Sequence, residues 1–498
     1  MKKYFLLSLV ALFAISCSKK VEVSGKITGG LPLERIEFTE ASGVGTLPLI
    51  NLGMDKDGNF SGTFEAPKNG MYFMSYAGRK AMVYLKGGQK FQFTANNFDF
   101  PESLKISGDA KNNNDFLQGN QKFLAQYVTK INMRDLLSKD EAAFIKEVQK
   151  ILTDVEKNID SIAKKTKADS EVAKFKKAEI KASLLTLLVQ YEQNHAMAIQ
   201  NPNFKVSGKF KDFEKSLIEN SDELVRNQPI FRNYLLGKIA NDFQSFAQTN
   251  KTRNPKDETA ETFSKFLDTR KDLSQTAKDY LLAFILSEYE ISPVLASDEK
   301  KLTPIKKIID EKIKDQTVKS DMQKLLSVIA GLKIGEPAPE VPMIKQDGKP
   351  FKFADAKGKP VLVMFYASWN PYIAESTVPV LKEVVNFYKS KMDFVYINLD
   401  DSKNQFIKTS NAMLKGISGT NVYAEGGMSS ELAKKFGIYG FKLPSFIVLD
   451  KDGKIASQSF FELGDNNLVN VLDKQTGLKA PVVSPEIYLQ NDLLQGAK

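Results

Sequence analysis

The hydrophobic period of this chain changes twice along its length, so one continuous core cannot accommodate it. From Val21 to about Asp109 apolar residues alternate with polar ones, as at Val21, Val23 and Ile27 in VEVSGKI and at Phe91 and Phe93 in KFQFTA. Turn-forming clusters, Asp55 to Asn59 and Pro67 to Gly70, separate these runs. A period of two is that of a half-buried strand, and the segment predicts a small antiparallel β-domain. From about Ala110 to Ala330 the spacing lengthens. Phe144, Val148, Ile151, Leu152, Val155, Ile159 and Ile162 trace one face of an amphipathic helix. Similar patterns lie around Leu184 to Val189, Phe213 to Leu224 and Tyr280 to Leu286, with no fixed-length repeat. Beyond Ile334 the apolar runs become continuous. Val361 to Phe365 and Phe394 to Ile397 have the composition of central strands buried on both faces, and Val380, Leu381, Val384, Val385 and Tyr388 mark a helix between them. Ser445 to Leu449 and Ile455 to Phe460 flank an Asp-Lys-Asp-Gly turn and predict a hairpin. The expected class is therefore α+β multidomain: an N-terminal antiparallel β-domain, a central helical region and a C-terminal α/β domain. A length of 498 residues fits about three such units.

The chain opens with Lys2 and Lys3 followed by an apolar run from Tyr4 to Ile15, too short to span a bilayer. This is the pattern of a secretory signal peptide. Small residues before Cys17 resemble the lipobox of bacterial lipoproteins, although Ala14 stands where that pattern favours Leu. The resemblance implies lipidation of Cys17, while an ordinary signal peptide with an incidental cysteine is the competing reading. The expected division is 1–16 signal peptide, 17–20 lipid-anchored tether, 21–109 β-rich domain, 110–330 helical region, 331–475 C-terminal domain and 476–498 tail. Ser18 lacks the acidic character that retains some lipoproteins in the inner membrane, so the expected address is the outer membrane, facing the periplasm. The formal charge of +10 is spread among acids, as in Lys301 to Lys314, and is not gathered with aromatics into a nucleic-acid platform.

Cys17 is the only cysteine. That count excludes dithiol exchange within the chain and any site built from several thiolates, and no cofactor is expected.

Three stretches carry a family resemblance. GEPAPE (from Gly335), GKPVLVMFYASW (ending at Trp369) and FGIYGFKLPSFIVLDKDGKI (from Phe436) occur in the order of the TlpA-like, AhpC/TSA-type branch of the thioredoxin superfamily. The segment from GKITGG to ISGDA resembles the uncharacterised N-terminal domain found ahead of thioredoxin-like domains in exported lipoproteins. The resemblance implies a thioredoxin-like α/β domain over about Ile334 to Gln475. It also implies a nucleophilic cysteine directly after the tryptophan, with a resolving cysteine three positions on. Those positions hold Asn370 and Ile373. Pro379 lies one residue further on than the family spacing, and shifting the register brings Tyr372 into place, still without sulfur. The degenerate active-site positions are thus Trp369, Asn370, Pro371, Tyr372 and Ile373. Read as local structure, Asn370 and Pro371 suit a helix start. Pro444 matches the family's cis-proline, and Leu443, Pro444 and Ser445 are the residues the resemblance implies would pair with an extended peptide.

Ser376 and Thr377 are conceivable nucleophiles, but the one histidine, His195, falls in the helical region. Asp450, Asp452 and Gly453 resemble part of a calcium loop and are better read as a hairpin turn. The expectation that follows is a membrane-anchored lipoprotein with a redox-inactive thioredoxin-like domain. It would bind or scaffold envelope proteins or extended peptides, with no catalytic or metal-ligating residue and no nucleic acid. The alternatives are a thiol-independent enzyme using Asn370, Tyr372 and Glu375, or a ligand-binding lipoprotein; a family-level label would be thiol–disulfide oxidoreductase.

Overall fold

The computed structural model describes residues 20–30, 34–249, 259–291, 299–330, 332–370 and 373–480. Cys17, Pro371, Tyr372, the signal stretch and the end of the tail lie outside these.

Among the described residues the alternating N-terminal segment forms eight strands: β1 (Lys20–Thr28), β2 (Ile36–Glu40), β3 (Ile50–Leu52), β4 (Asn59–Glu65), β5 (Gly70–Tyr76), β6 (Arg79–Leu85), β7 (Lys90–Asn96) and β8 (Lys105–Gly108). They make two four-stranded sheets, ordered β4-β1-β7-β8 and β3-β2-β5-β6. The apolar member of each alternation turns inward, and Phe38 stacks on Phe64 (5.3 Å) and meets Phe91 edge-on (5.8 Å). One pair departs from the antiparallel expectation. β1 and β7 run parallel, with Gly25 opposite Phe93, because the chain between them passes through the other sheet. A Cβ on Gly25 would lie 1.8 Å from the Phe93 carbonyl oxygen, so the close pairing requires glycine there.

The central region is helical. Its longest members are Lys111–Val128, Glu141–Thr166, Ser170–Ala198 and Pro229–Thr249. Glu141–Thr166 begins where the Asp140 side chain accepts from the Ala143 N–H and ends at Lys167, which has a left-handed backbone. Phe144, Val148, Val155 and Ile159 are buried as its period predicts. The same apolar cluster takes in Ala41, Val44, Met71 and Tyr84, so the helices pack on one face of the β-domain, whose interior forms a cluster of its own. Arg232 pins this junction. Its buried guanidinium donates to the carbonyls of Ser42, Gly43, Val225 and Arg226 and lies 4.4 Å from the Tyr280 ring centre. His195 is also a core residue here, stacked on Tyr191 with Nδ1 3.2 Å from the Leu137 oxygen, so it serves no Ser376 or Thr377.

In the C-terminal domain β9 (Met343–Lys345), β10 (Pro350–Phe351), β11 (Val361–Tyr366), β12 (Asp393–Asn398), β13 (Thr420–Tyr423) and β14 (Ser445–Leu449) form one sheet ordered β10-β9-β13-β12-β11-β14. β11, β12 and β13 are parallel, and β14 runs against β11. Every residue of β11 is buried, with Val361, Val363 and Phe365 in one apolar cluster and Leu362, Met364 and Tyr366 in another. The expected hairpin after β14 is incomplete. Only Leu449–Ile455 and Phe446–Phe460 bridge, because the Ser457 hydroxyl takes the Val448 N–H (2.8 Å) that a ladder would have used. Among the described residues no helix is long and apolar enough to cross a membrane.

Candidate functional site

β11 and β12 end at the same edge of the sheet, and β14 starts there. Three loops therefore converge at the carboxyl ends of the parallel strands, where open α/β sheets bind ligands. The first carries Trp369 and Asn370 and leads into a π turn, Ile373–Thr377, before the helix Val378–Tyr388. A π turn is an α turn with one residue added, and it accommodates the extra position seen before Pro379. The second holds Asp400 and Asp401. The third is Gly440 to Ser445 and contains a cis Leu443–Pro444 bond.

Asn370 crosses between loops: its Nδ2 donates to the Leu443 oxygen at 2.8 Å. The amide thus occupies the carbonyl beside the cis-proline. Ile373 is fully buried against the β11 and β14 side chains, and Leu443 and Ser445 are buried as well, leaving Pro444 half-exposed. Glu375 is exposed on the π turn, and Ser376 is exposed beside it. Asp400 is enclosed. Its Oδ1 accepts from the Ser368 N–H (2.6 Å) and its Oδ2 from Asn398 (2.9 Å) and Thr409 (2.8 Å), which fixes the loop carrying Trp369 onto the end of β12. Asp450 Oδ1 accepts from the N–H groups of Asp452 and Lys454, both at 2.9 Å, and so closes its turn.

The rim is covered from the β-domain. Arg35 pairs with Asp401 through both carboxylate oxygens (Nη2 to Oδ1, 2.7 Å), donates from Nε to Asn51 Oδ1 (2.7 Å), and lays its guanidinium 5.0 Å from the Trp369 ring centre. Asn51 passes the chain of bonds on to Glu37, whose carboxyl is pushed up by burial against the opposing pull of Asn51 and Arg35. Trp369 Nε1 is buried without a partner among the described residues. On the helical side Lys442, fully buried, donates to the Val328 oxygen, and burial pulls its ammonium down to about 8.

Residues 358–455 match the family described as Thioredoxin-like. The C-terminal domain is thioredoxin-like. Thiol-disulfide oxidoreductase ResA of Bacillus thuringiensis (strain Al Hakam) and of Bacillus anthracis are each 28% identical over 153 residues, covering 29% of this chain and 80% of theirs. Among solved structures, the thioredoxin domain of a thiol-disulfide oxidoreductase from Bacteroides vulgatus is 22% identical, covers 29% of this chain and 99% of that one, and aligns with a TM-score of 0.26. A thiol-disulfide oxidoreductase from Bacteroides fragilis is 24% identical over 25% of this chain and 90% of its own, with a TM-score of 0.23. The thioredoxin-like domain thus has oxidoreductases among its relatives, while its own rim offers an amide, an indole and an isoleucine.

The sequence pointed to both loops, Trp369 to Ile373 and Leu443 to Ser445. It missed Arg35, Asn51 and Glu37, which come to the rim from the far end of the chain (Arg35 and Asp401 are 366 positions apart), and Lys442, which reaches from the third loop to the Val328 carbonyl of the helical region. Asp401 was findable: an acidic pair at the end of a central strand lies where such sheets place their sites.

Proposed function

We propose that the chain is a lipid-anchored envelope protein whose thioredoxin-like domain works as a binding or scaffolding module without thiol chemistry. The observation that carries this reading is the Asn370–Leu443 bond. At the position where the family resemblance implies a thiolate, an amide that is no nucleophile is committed to holding two loops together. The buried Ile373 offers neither a resolving group nor a leaving group. Cys17, the only cysteine, lies behind an apolar leader and is assigned to the anchor. Envelope proteins or extended peptides are the proposed partners, with the half-exposed Pro444, between the buried Leu443 and Ser445, as their contact.

Mass spectrometry of the mature N-terminus tests the anchor and is expected to find an acylated Cys17. Cys17→Ala should release the protein from membranes on a salt wash; retention would refute the anchor. In-cell cross-linking followed by identification of captured proteins tests the scaffold, and a protein that captures no envelope protein above an unrelated lipoprotein control would refute it.

A further inference from the structure

The former active-site rim already has an occupant within the chain. Arg35, Asn51 and Glu37 of the β-domain lie over Trp369, with the ion pair close against Gly53 and ordinary van der Waals contact at Gly440. A Cβ on Gly53 would stand 2.0 Å from Asp401 Oδ2, and one on Gly440 would stand 3.4 Å from Asn51 Nδ2 and 3.8 Å from the Trp369 ring. The contact differs in kind from the other junction of the β-domain. Against the helices that domain contributes to a common apolar core, whereas its own cluster and the two clusters of the thioredoxin-like domain are separate. Across the rim the connection is an ion pair, side-chain amides and one indole face. Asp401 keeps about a third of its side chain in water. The Arg35 side chain is largely buried, so salt screens the pair only partly, but a polar contact of this kind can part without opening an apolar core.

We infer that the β-domain is a releasable cover of the thioredoxin-like rim, an autoinhibitory contact closed by Arg35 and Asp401 over Trp369. Opening it exposes the indole, beside the already half-exposed Pro444, to an extended polypeptide. The identity of that competitor rests on the binding reading proposed above; the cover itself does not.

Trp369 is the only tryptophan in the chain, so tryptophan fluorescence reports its surroundings alone, the β-domain contact and the apolar cluster of its own domain. Acrylamide quenching of the full-length mature protein is expected to at least double in Asp401→Arg and in the steric wedge Gly53→Val, with unchanged far-UV circular dichroism. The charge swap Arg35→Asp with Asp401→Arg should return quenching towards wild type, which keeps the test decisive if one single variant folds poorly. Native-like quenching in both single variants, or a swap that stays as accessible as Asp401→Arg, would overturn the cover. Reduced, carboxymethylated α-lactalbumin, a permanently unfolded chain, then probes the rim. Binding at least fivefold tighter to the open variants than to wild type supports cover and competitor together. Raised quenching without binding leaves the cover standing and removes the peptide reading. Equal binding to wild type and open variants overturns the cover, because the rim was then accessible throughout.

Discussion

Two residues of the rim carry consequences that can be measured one side chain at a time. Asn370→Ala removes the bond to the Leu443 carbonyl and should cost about 1 kcal/mol in chemical denaturation. Asn370→Asp should cost more at neutral pH, because it sets a carboxylate against a carbonyl oxygen and so raises its own folded-state pKa. The excess cost should fade as pH drops from the raised folded-state pKa to the ordinary carboxylate range, and an equal cost at pH 4 and 7 would contradict the geometry. Lys442 supplies the opposite test. Burial lowers its ammonium from 10.5 to about 8, so between these values the unfolded chain holds a proton the folded one has released. Wild-type stability should therefore rise relative to Lys442→Met as pH goes from 8 to 10.5, by at most about 3 kcal/mol. A flat difference would place the amine in water.

At the scale of elements, the Gly25 pairing decides whether the parallel β1–β7 contact is obligatory. Gly25→Ala should destabilise by on the order of 3 kcal/mol, since its Cβ meets backbone rather than a yielding side chain. A melting temperature within a degree of wild type would refute the register. The strands of this domain were legible from alternation, and Val361 to Phe365 from an unbroken apolar run, because burial dictates both patterns directly. The helix face of Phe144 to Ile159 was legible for the same reason. The parallel pairing was not, since strand order depends on how the chain crosses between sheets and leaves no local mark. Nor was the broken hairpin, where one serine hydroxyl at 457 replaces a ladder bond. The extra residue before Pro379 was visible as spacing, and its conformation as a π turn came only with the structure.

Across the whole molecule, the helices pack on one face of the β-domain through an apolar cluster fastened by Arg232, and the thioredoxin-like domain meets them through polar contacts. The β-domain and helical region should consequently unfold together, and calorimetry on Arg232→Met should lower that shared transition by the equivalent of about 3 kcal/mol while leaving any separate transition of the thioredoxin-like domain in place. Two independent transitions for β-domain and helices would contradict that packing. The rim's cover was illegible in the sequence because Arg35 and Asp401 are 366 positions apart and nothing local pairs them. The loss of thiols was legible from a count. The proposed function joins these observations as a scaffold that keeps the thioredoxin-like fold while side-chain packing stands where the resemblance implies thiol chemistry. Turnover of insulin disulfides, measured for the mature protein beside its Asn370→Cys, Ile373→Cys double variant, tests that most directly. Wild type should stay at the uncatalysed rate while the double variant forms a reducible disulfide and exceeds that rate; reduction by the wild-type protein, or a double variant that stays reduced under oxidising conditions, would contradict it.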